Sequence, residues 1–399
     1  MITFFISWVK SIFGCIKNRH QHIILIAGAD ISTMVNQHRV SPFAFTLQKK
    51  WEAEKIRSKI VVRTGVVDDS YSYDFSIAPL LAFFAKLQVK QTTAWRLILS
   101  LLKPKTLVAI DWDIVLNKAC TAKKIKLYYL QHGVIVADHM YFGKHTLKNL
   151  PAGDLPYGFL SWDDVSAQNF EDLCKTFVIG NQWNNAFLDQ TFLHWFQEDE
   201  AALALYAFTK PVVLFTLTWG RHHQHLMPKC MIEAIKQTID NFTWVIRLHP
   251  AVYMKKENRD DFEQFLNQHF TAKEIANIFW KEFNTLPLPL ILTKTKVHIT
   301  IESSVVIEAA QFGIPSLILN SNVVEYGPNG ENTPPYGGPS YFKLERECGY
   351  AEVYNADLNI KDWISQQTKK KPLGNLGKNS MEWKKFTADN NTPFNMHKN

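Results

Sequence analysis

Short apolar runs that stop at polar tips recur along this chain. The first is "HIILIAGAD", followed by "KTLVAID", "KLYYLQHG", "YGFLSWDD" and "KTFVIGNQ". Continuous apolar runs of this length suit strands buried on both faces of a parallel sheet. Between them lie stretches with helical spacing, such as "FTLQKKWEAEKIRS" and "IVLNKACTAKKI". The segment from 60 to 104 is less legible, although "SIAPLLAFFAKL" and "AWRLILSLL" stand out within it. The alternation predicts β-α-β units and a parallel sheet with helices on both faces.

The pattern pauses over 183–210, a helical stretch carrying the acidic cluster Glu198, Asp199 and Glu200, and then restarts. "PVVLFTLTWGR" and "FTWVIRLHP" read as strands, "KCMIEAIKQTI" and "DDFEQFLNQHF" as helices. "HITIESSVVIEAAQFGIPSLILN" reads as strand, Ser-Ser, helix and a last short strand. A Pro/Gly-rich loop with Tyr326, Tyr336 and Tyr341 follows. The 399 residues exceed most single cores and suit two domains. The predicted fold class is α/β, two Rossmann-like doubly wound domains facing a central cleft. The expected division is an amphipathic helix over 1–20, a first Rossmann-like domain over 21–185 and a helical linker over 186–210. A second Rossmann-like domain over 211–368 and a loosely held tail over 369–399 complete it.

Residues 1–20 place Phe5, Trp8, Val9, Ile12, Phe13 and Ile16 on one helical face, with Lys10, Lys17 and Arg19 off it or just beyond. Lys10 breaks the apolar run well short of a membrane span, and no charged segment precedes it as in a signal peptide. Two placements stay open: docking on the protein, or lying in a membrane interface.

Composition narrows the class. Hydrophobic residues at 46% and charged residues at 20% describe a globular chain. The formal net charge of +7 suits an anionic partner, and the absence of a dense Lys/Arg block speaks against nucleic acid. Cys15, Cys120, Cys174, Cys230 and Cys348 are scattered, without ligand spacing, which points to a reducing, cytoplasmic setting. No cofactor is expected. No metal is expected either: "DWD" and "GRHHQH" lack a matching ligand context.

In open α/β sheets ligands gather at the carboxyl ends of strands. Those predicted ends carry Asp111 and Asp113, Gln131, His132 and Gly133, then Asp163 and Asp164 in the first half. In the second half they carry Thr216, Thr218, Gly220 and Arg221, then Arg247, His249 and Pro250, then Glu302, Ser303 and Ser304. The second set has the chemistry of a phosphate site. Serine hydroxyls and backbone N–H groups at a helix start can donate to an anion. His249, placed by a proline that stops its strand, can donate an imidazole N–H. Arg221 and Arg247 supply counter-charge, and Glu308, one turn into the helix, can reach a ribose diol. Ser303 also reads as a plain helix N-cap.

"RLHP" followed by "SSVVIEAAQFGIPSLIL" resembles the donor half of GT-B glycosyltransferases, above all bacterial enzymes of capsule, lipopolysaccharide and teichoic acid synthesis. The His-Pro and Ser-Ser pairs are similar to those of sialyl- and Kdo transferases, which use CMP-sugars. That resemblance implies nucleotide-phosphate binding by His249, Pro250, Ser303 and Ser304. "YLQHG" resembles the Trp-His-Gly segment of CDP-glycerol glycerophosphotransferases, implying that His132 is the base, with Gln131 in place of Trp. "FVIGNQ" resembles a Val-x-Gly-Asn-Pro turn, with Gln182 in place of Pro. The Asp-Asp-Gly or Glu-Asp-Gly motif of many sialyltransferases is absent.

These residues and the resemblance together imply a metal-independent glycosyltransferase that moves a sugar from a nucleotide donor to a glycan or lipid-linked acceptor. A polyol-phosphate transferase and a sugar-nucleotide epimerase are the alternatives. The base stays open among His132, Asp111, Asp113 and Asp154, as does inversion or retention. Gln131 and Gly133 are placed at the acceptor side. The basic surface and aromatic first helix suggest contact with the inner face of a membrane.

Overall fold

The computed structural model describes residues 2–27, 33–35, 38–63, 73–110, 112–137, 142–218, 227–325, 338–371, 373–376 and 381–390. The chain divides into two compact units. Unit 1 comprises Met1–Trp183 with Asn379–Asn399, and unit 2 comprises Asn184–Lys378.

In unit 1 the apolar runs become β1 (Ile23–Ala27), the β2 (Thr33–Val35)/β3 (His38–Val40) ribbon, β4 (Ser58–Val62), β5 (Phe75–Ser76), β6 (Thr106–Ala109), β7 (Lys126–Leu130), β8 (Gly158–Ser161) and β9 (Lys175–Val178). Seven of them form a sheet in the order β5-β4-β1-β6-β7-β8-β9, parallel throughout, and β2 pairs only with β3. Every residue of β1, β6, β7 and β8 is buried. That is the burial expected of strands covered on both faces, and it explains why these runs do not alternate. Helix Pro42–Ala53 starts where Ser41 accepts from the Ala44 N–H and Pro42 supplies a preset φ. Gly158 is required by packing: a Cβ there would lie 2.7 Å from the Tyr128 ring and 2.9 Å from the Lys175 carbonyl.

Unit 2 repeats the plan with β10 (Val212–Thr216), β11 (Thr243–Arg247), β12 (Ile278–Phe279), β13 (Thr295–Thr300), β14 (Ser316–Ile318) and β15 (Ala351–Val353). Its order is β12-β11-β10-β13-β14-β15, again parallel throughout. The core on one side of this sheet is built on Trp244, Phe262, Trp280 and Trp363. Each large side chain fully removed from water contributes roughly 2–3 kcal/mol.

Two expectations change. The stretch read as a linker holds helices Gln182–Leu188 and Glu200–Tyr206 with a 3-10 turn Leu193–Phe196, and from Asn184 onward it belongs to unit 2. Phe187, Phe196 and Leu205 are buried within it, so it is part of a core. The tail read as loosely held contains helix Met381–Asn390, which returns to unit 1. There Trp383 and Phe386 pack on Trp51, and Phe386 also on Tyr128 and Phe177. Glu382 accepts from the Val178 N–H at 2.7 Å. The sequence concealed this because the helix is polar overall and buries only a few large rings.

Helix Ile2–Lys17 docks on unit 1. Gly14 lets it approach Phe75, where a Cβ would sit at 2.9 Å, and the rings of Trp8 and Phe83 lie 5.0 Å apart. Among the described residues no helix is long and apolar enough to cross a membrane.

Candidate functional site

In unit 2, pairing register puts Thr216, Arg247 and Thr300 at one level of adjacent strands β11, β10 and β13. Two residues further along each chain come Thr218, His249 and Glu302, so all three polar tips emerge at the same end of the sheet. Side chains fix the tips. Asn284 accepts from the Leu248 N–H at 2.8 Å and donates to the Ile246 carbonyl, which sets the backbone just before His249. Thr300 donates to the Thr216 carbonyl at 2.9 Å and accepts from the Ser303 N–H at 3.1 Å.

Arg247 turns one guanidinium nitrogen to the carbonyls of Phe283 and Leu286, at 3.0 and 2.7 Å. Burial pulls its pKa down to about 10, offset in part by the negative charge of Glu308. Burial pushes the Glu308 carboxyl up to about 7, against the pull of Arg247. His249 is held below its ordinary value by burial and by the Arg247 charge. Both effects favour its neutral form, which carries a single ring N–H. An arriving phosphate favours the charged forms of Arg247 and His249 and so gains from both.

Two sequence expectations are corrected here. Pro250 does not stop β11, which ends at Arg247; it opens the one-turn helix Pro250–Tyr253, whose Val252 and Tyr253 N–H groups bond the His249 carbonyl. Ser303 is not the N-cap of helix Val305–Gln311. Ser304 occupies that position without a side-chain cap bond, and the Ser303 hydroxyl accepts from the Val305 N–H at 3.3 Å. Glu302 accepts from Asn320 at 2.6 Å. Among the described residues the buried Thr218 hydroxyl has no hydrogen-bond partner, which leaves it available at the strand end. Gly220 and Arg221 lie outside the described residues, as do His222, His223, His225, Tyr326 and Tyr336.

His298 went unnoticed in the sequence. It is fully buried at the centre of the sheet, its Nε2 2.8 Å from the Thr216 hydroxyl and its Nδ1 2.9 Å from that of Ser316. Burial pulls its pKa down to about 3. A polar residue inside an otherwise apolar strand was the available signal.

In unit 1 the strand-end residues divide by role. His132 is exposed and its Nδ1 lies 3.1 Å from the Tyr129 hydroxyl, which orients the ring. Gly133 follows it at a half-buried position. Gln131, expected to face an acceptor, is instead completely buried. Its amide donates to the Gly133 carbonyl and Ser166 hydroxyl and accepts from the Trp162 N–H and Ser161 hydroxyl. It ties the ends of β7 and β8 together, and its polar capacity is used up internally. Asp113 caps helix Ile114–Lys123 through the Val115 and Leu116 N–H groups and pairs with Arg63 at 2.8 Å. These bonds occupy it as a structural carboxylate and speak against a role as base. Asp163 likewise caps a turn, accepting from Ser166. Asp154 is buried and pairs with Lys118 at 3.1 Å. Asp111 lies outside the described residues.

No family model matches the sequence, and no curated protein matches it. Solved structures do. A UDP-GlcNAc 2-epimerase from Neisseria meningitidis, bound to UDP-GlcNAc, superposes with TM-score 0.58 at 13% identity over 92% of this chain and 98% of that one. The enzyme of the same name from Methanocaldococcus jannaschii gives 0.57 at 14% identity over 92% and 98%. The wall teichoic acid polymerase TagF gives 0.50 at 13% over 88% and 83%. At such identities the likeness shows the fold, two Rossmann-like units of the GT-B kind.

Proposed function

We propose that the chain is a sugar-nucleotide-processing enzyme, and within that class a glycosyltransferase whose donor phosphate is held by unit 2. The observation that carries this reading is the convergence of Thr218, Arg247, His249, Glu302, Ser303 and Ser304 at one end of three adjacent strands, with Glu308 one turn beyond. In the reaction the bond from the sugar's anomeric carbon to the leaving phosphate breaks and one to an acceptor hydroxyl oxygen forms. The electron pair goes to the phosphate oxygen, where Arg247, His249, the two serine hydroxyls and the Ser304 N–H stabilise it. Preorganised donors of this kind supply about 3 kcal/mol each. Glu308 is assigned to the ribose hydroxyls. His132 is assigned to the acceptor's proton: it is exposed just past the end of β7, Tyr129 orients its ring through Nδ1, and its Nε2 has no hydrogen-bond partner among the described residues.

The His-Pro and Ser-Ser pairs favour a pyrimidine donor, CMP-linked Kdo or sialic acid among them, and a glycan or lipid-linked acceptor of capsule or lipopolysaccharide synthesis. A second reading, epimerisation of a UDP-sugar, is favoured by the likeness to UDP-GlcNAc 2-epimerases. A CDP-glycerol-type transferase would leave phosphate in the product.

A thermal-shift panel of CMP, CDP, UMP, UDP and GDP tests the site first. A ligand at a hundredfold excess over Kd stabilises by about 2.7 kcal/mol. Wild type is expected to respond to pyrimidine nucleotides and His249→Ala to lose the response. No shift with any nucleotide sinks the assignment. Incubating the responding sugar nucleotide without acceptor then separates the readings: an epimerase converts it, whereas a transferase only hydrolyses it slowly. His132→Ala is expected to keep the nucleotide shift and lose turnover by about a hundredfold or more. Retained turnover removes His132 from the mechanism.

A further inference from the structure

Helix Ile2–Lys17 packs against helices Ala78–Lys86 and Gln91–Leu102, and the three form one layer of unit 1. The first helix docks through Trp8, Ser11, Ile12, Cys15 and Asn18, which fall on one arc at 100° per residue. Ile6, Phe13 and Ile16 fall on the opposite arc and are exposed, Phe13 by 66%. Lys10 and Lys17 lie along the margin of that arc, also exposed. The apolar face read from the sequence is thus divided, one side docked and the other open to solvent.

The rest of the layer continues the pattern. Among the described residues nine large hydrophobic side chains are exposed, and five of them, Ile6, Phe13, Ile16, Leu87 and Leu97, lie in these helices or the turn joining the last two. Scattered apolar residues need no explanation, but this concentration does. The charge is as one-sided. Although the chain has 37 Asp and Glu, none falls in 1–29 or in 75–110. Those stretches carry Lys10, Lys17, Arg19, Lys86, Lys90, Arg96, Lys103 and Lys105, all exposed.

We infer that this helical layer docks on an anionic lipid bilayer, with Ile6, Phe13 and Ile16 entering the headgroup boundary and the surrounding cations on the lipid phosphates. Charge complementarity decides the occupant. An apolar centre bordered by cations, in helices that themselves carry no carboxylate, matches a negatively charged headgroup plane, where each cation contributes through the surface potential. A second copy of the same face would instead bring like charges together.

The test is sedimentation of the full chain with vesicles of phosphatidylcholine, with and without phosphatidylglycerol. Binding is expected only to the anionic vesicles and is expected to fall as salt rises. Lys10→Ala with Lys17→Ala should weaken it roughly 25-fold, at about fivefold per cation. Phe13→Ser with Ile16→Ser should weaken it by about tenfold or more. Unchanged melting temperatures in these variants confirm that they fold. Wild type that does not sediment with anionic vesicles, or binding that neither pair weakens, overturns the inference. Concentration-dependent dimerisation abolished by the Phe13/Ile16 pair overturns it as well, in favour of self-association.

Discussion

Asp389→Ala is expected to cost unit 1 about 3–5 kcal/mol, the penalty for breaking a buried ion pair from one side. Asp389 sits in helix Met381–Asn390 and binds three side chains of the sheet beneath it. Lys175 donates to one carboxylate oxygen at 2.5 Å, the Tyr128 hydroxyl donates to the other, and Lys126 donates to the Asp389 carbonyl. Burial alone would push this carboxyl up, but the bonds from Lys175 and Tyr128 and the charges of Lys126 and Lys175 outweigh it, so it sits below its usual value. The Lys126 side chain is only 3% exposed. Without Asp389 its ammonium is buried beside Lys175 with the nearest carboxylate gone. Urea unfolding followed by tryptophan fluorescence should show the unit 1 transition at a clearly lower midpoint, with Asp389→Asn intermediate. An unchanged midpoint would mean that the helix is held by its ring contacts and the Glu382–Val178 bond without help from Asp389.

Acid stability of unit 2 is expected to be governed by two groups acting in opposite senses, the buried His298 and the half-buried Glu308. The folded pKa of His298 is depressed from 6.5 to about 3. Between those values the unfolded chain binds a proton that the folded one refuses. Its contribution is fully present above pH 6.5 and is lost as pH falls toward 3, on the order of 5 kcal/mol in all. Glu308 is raised from 4.5 to about 7. Its contribution is present below pH 4.5 and lost as pH rises through 7, on the order of 3 kcal/mol. The two slopes overlap between about pH 4.5 and 6.5 and largely cancel there. Wild type should therefore melt at a nearly constant temperature across that window and fall off below it. Glu308→Gln should remove the opposing slope, so that melting temperature declines from pH 6.5 downward. Calorimetry of both forms against pH checks this, and parallel profiles would refute it.

Much of this architecture was legible because parallel strands are buried on both faces and leave unbroken apolar runs. β1, β6, β7, β10 and β13 could be read directly for that reason. β5, β12 and β15 could not: each is two or three residues long and sits at or beside a sheet edge. Polar residues do end or follow the central strands of unit 2, where Thr216, Arg247 and Thr300 share one level. The sequence could not tell a tip that meets a ligand from one that braces its neighbours. Gln131 and Asp113 carry the same chemistry as ligand-binding residues, and only their partners, Trp162, Ser166 and Arg63, reveal internal duty. His298 and Asp389 were missed because each acts through residues far away in sequence.

Unit 1 begins before unit 2 and is completed after it. The helix that covers Trp51, Tyr128 and Phe177 lies beyond residue 380, after all of unit 2. During N-to-C synthesis unit 2 has every residue of its core before unit 1 receives its final element. Until then Lys126 and Lys175 have no counter-ion from residue 389, and the ring cluster stays open to water. The rings of Trp51, Tyr128 and Phe177 thus form the apolar surface of unit 1 that waits longest for its cover.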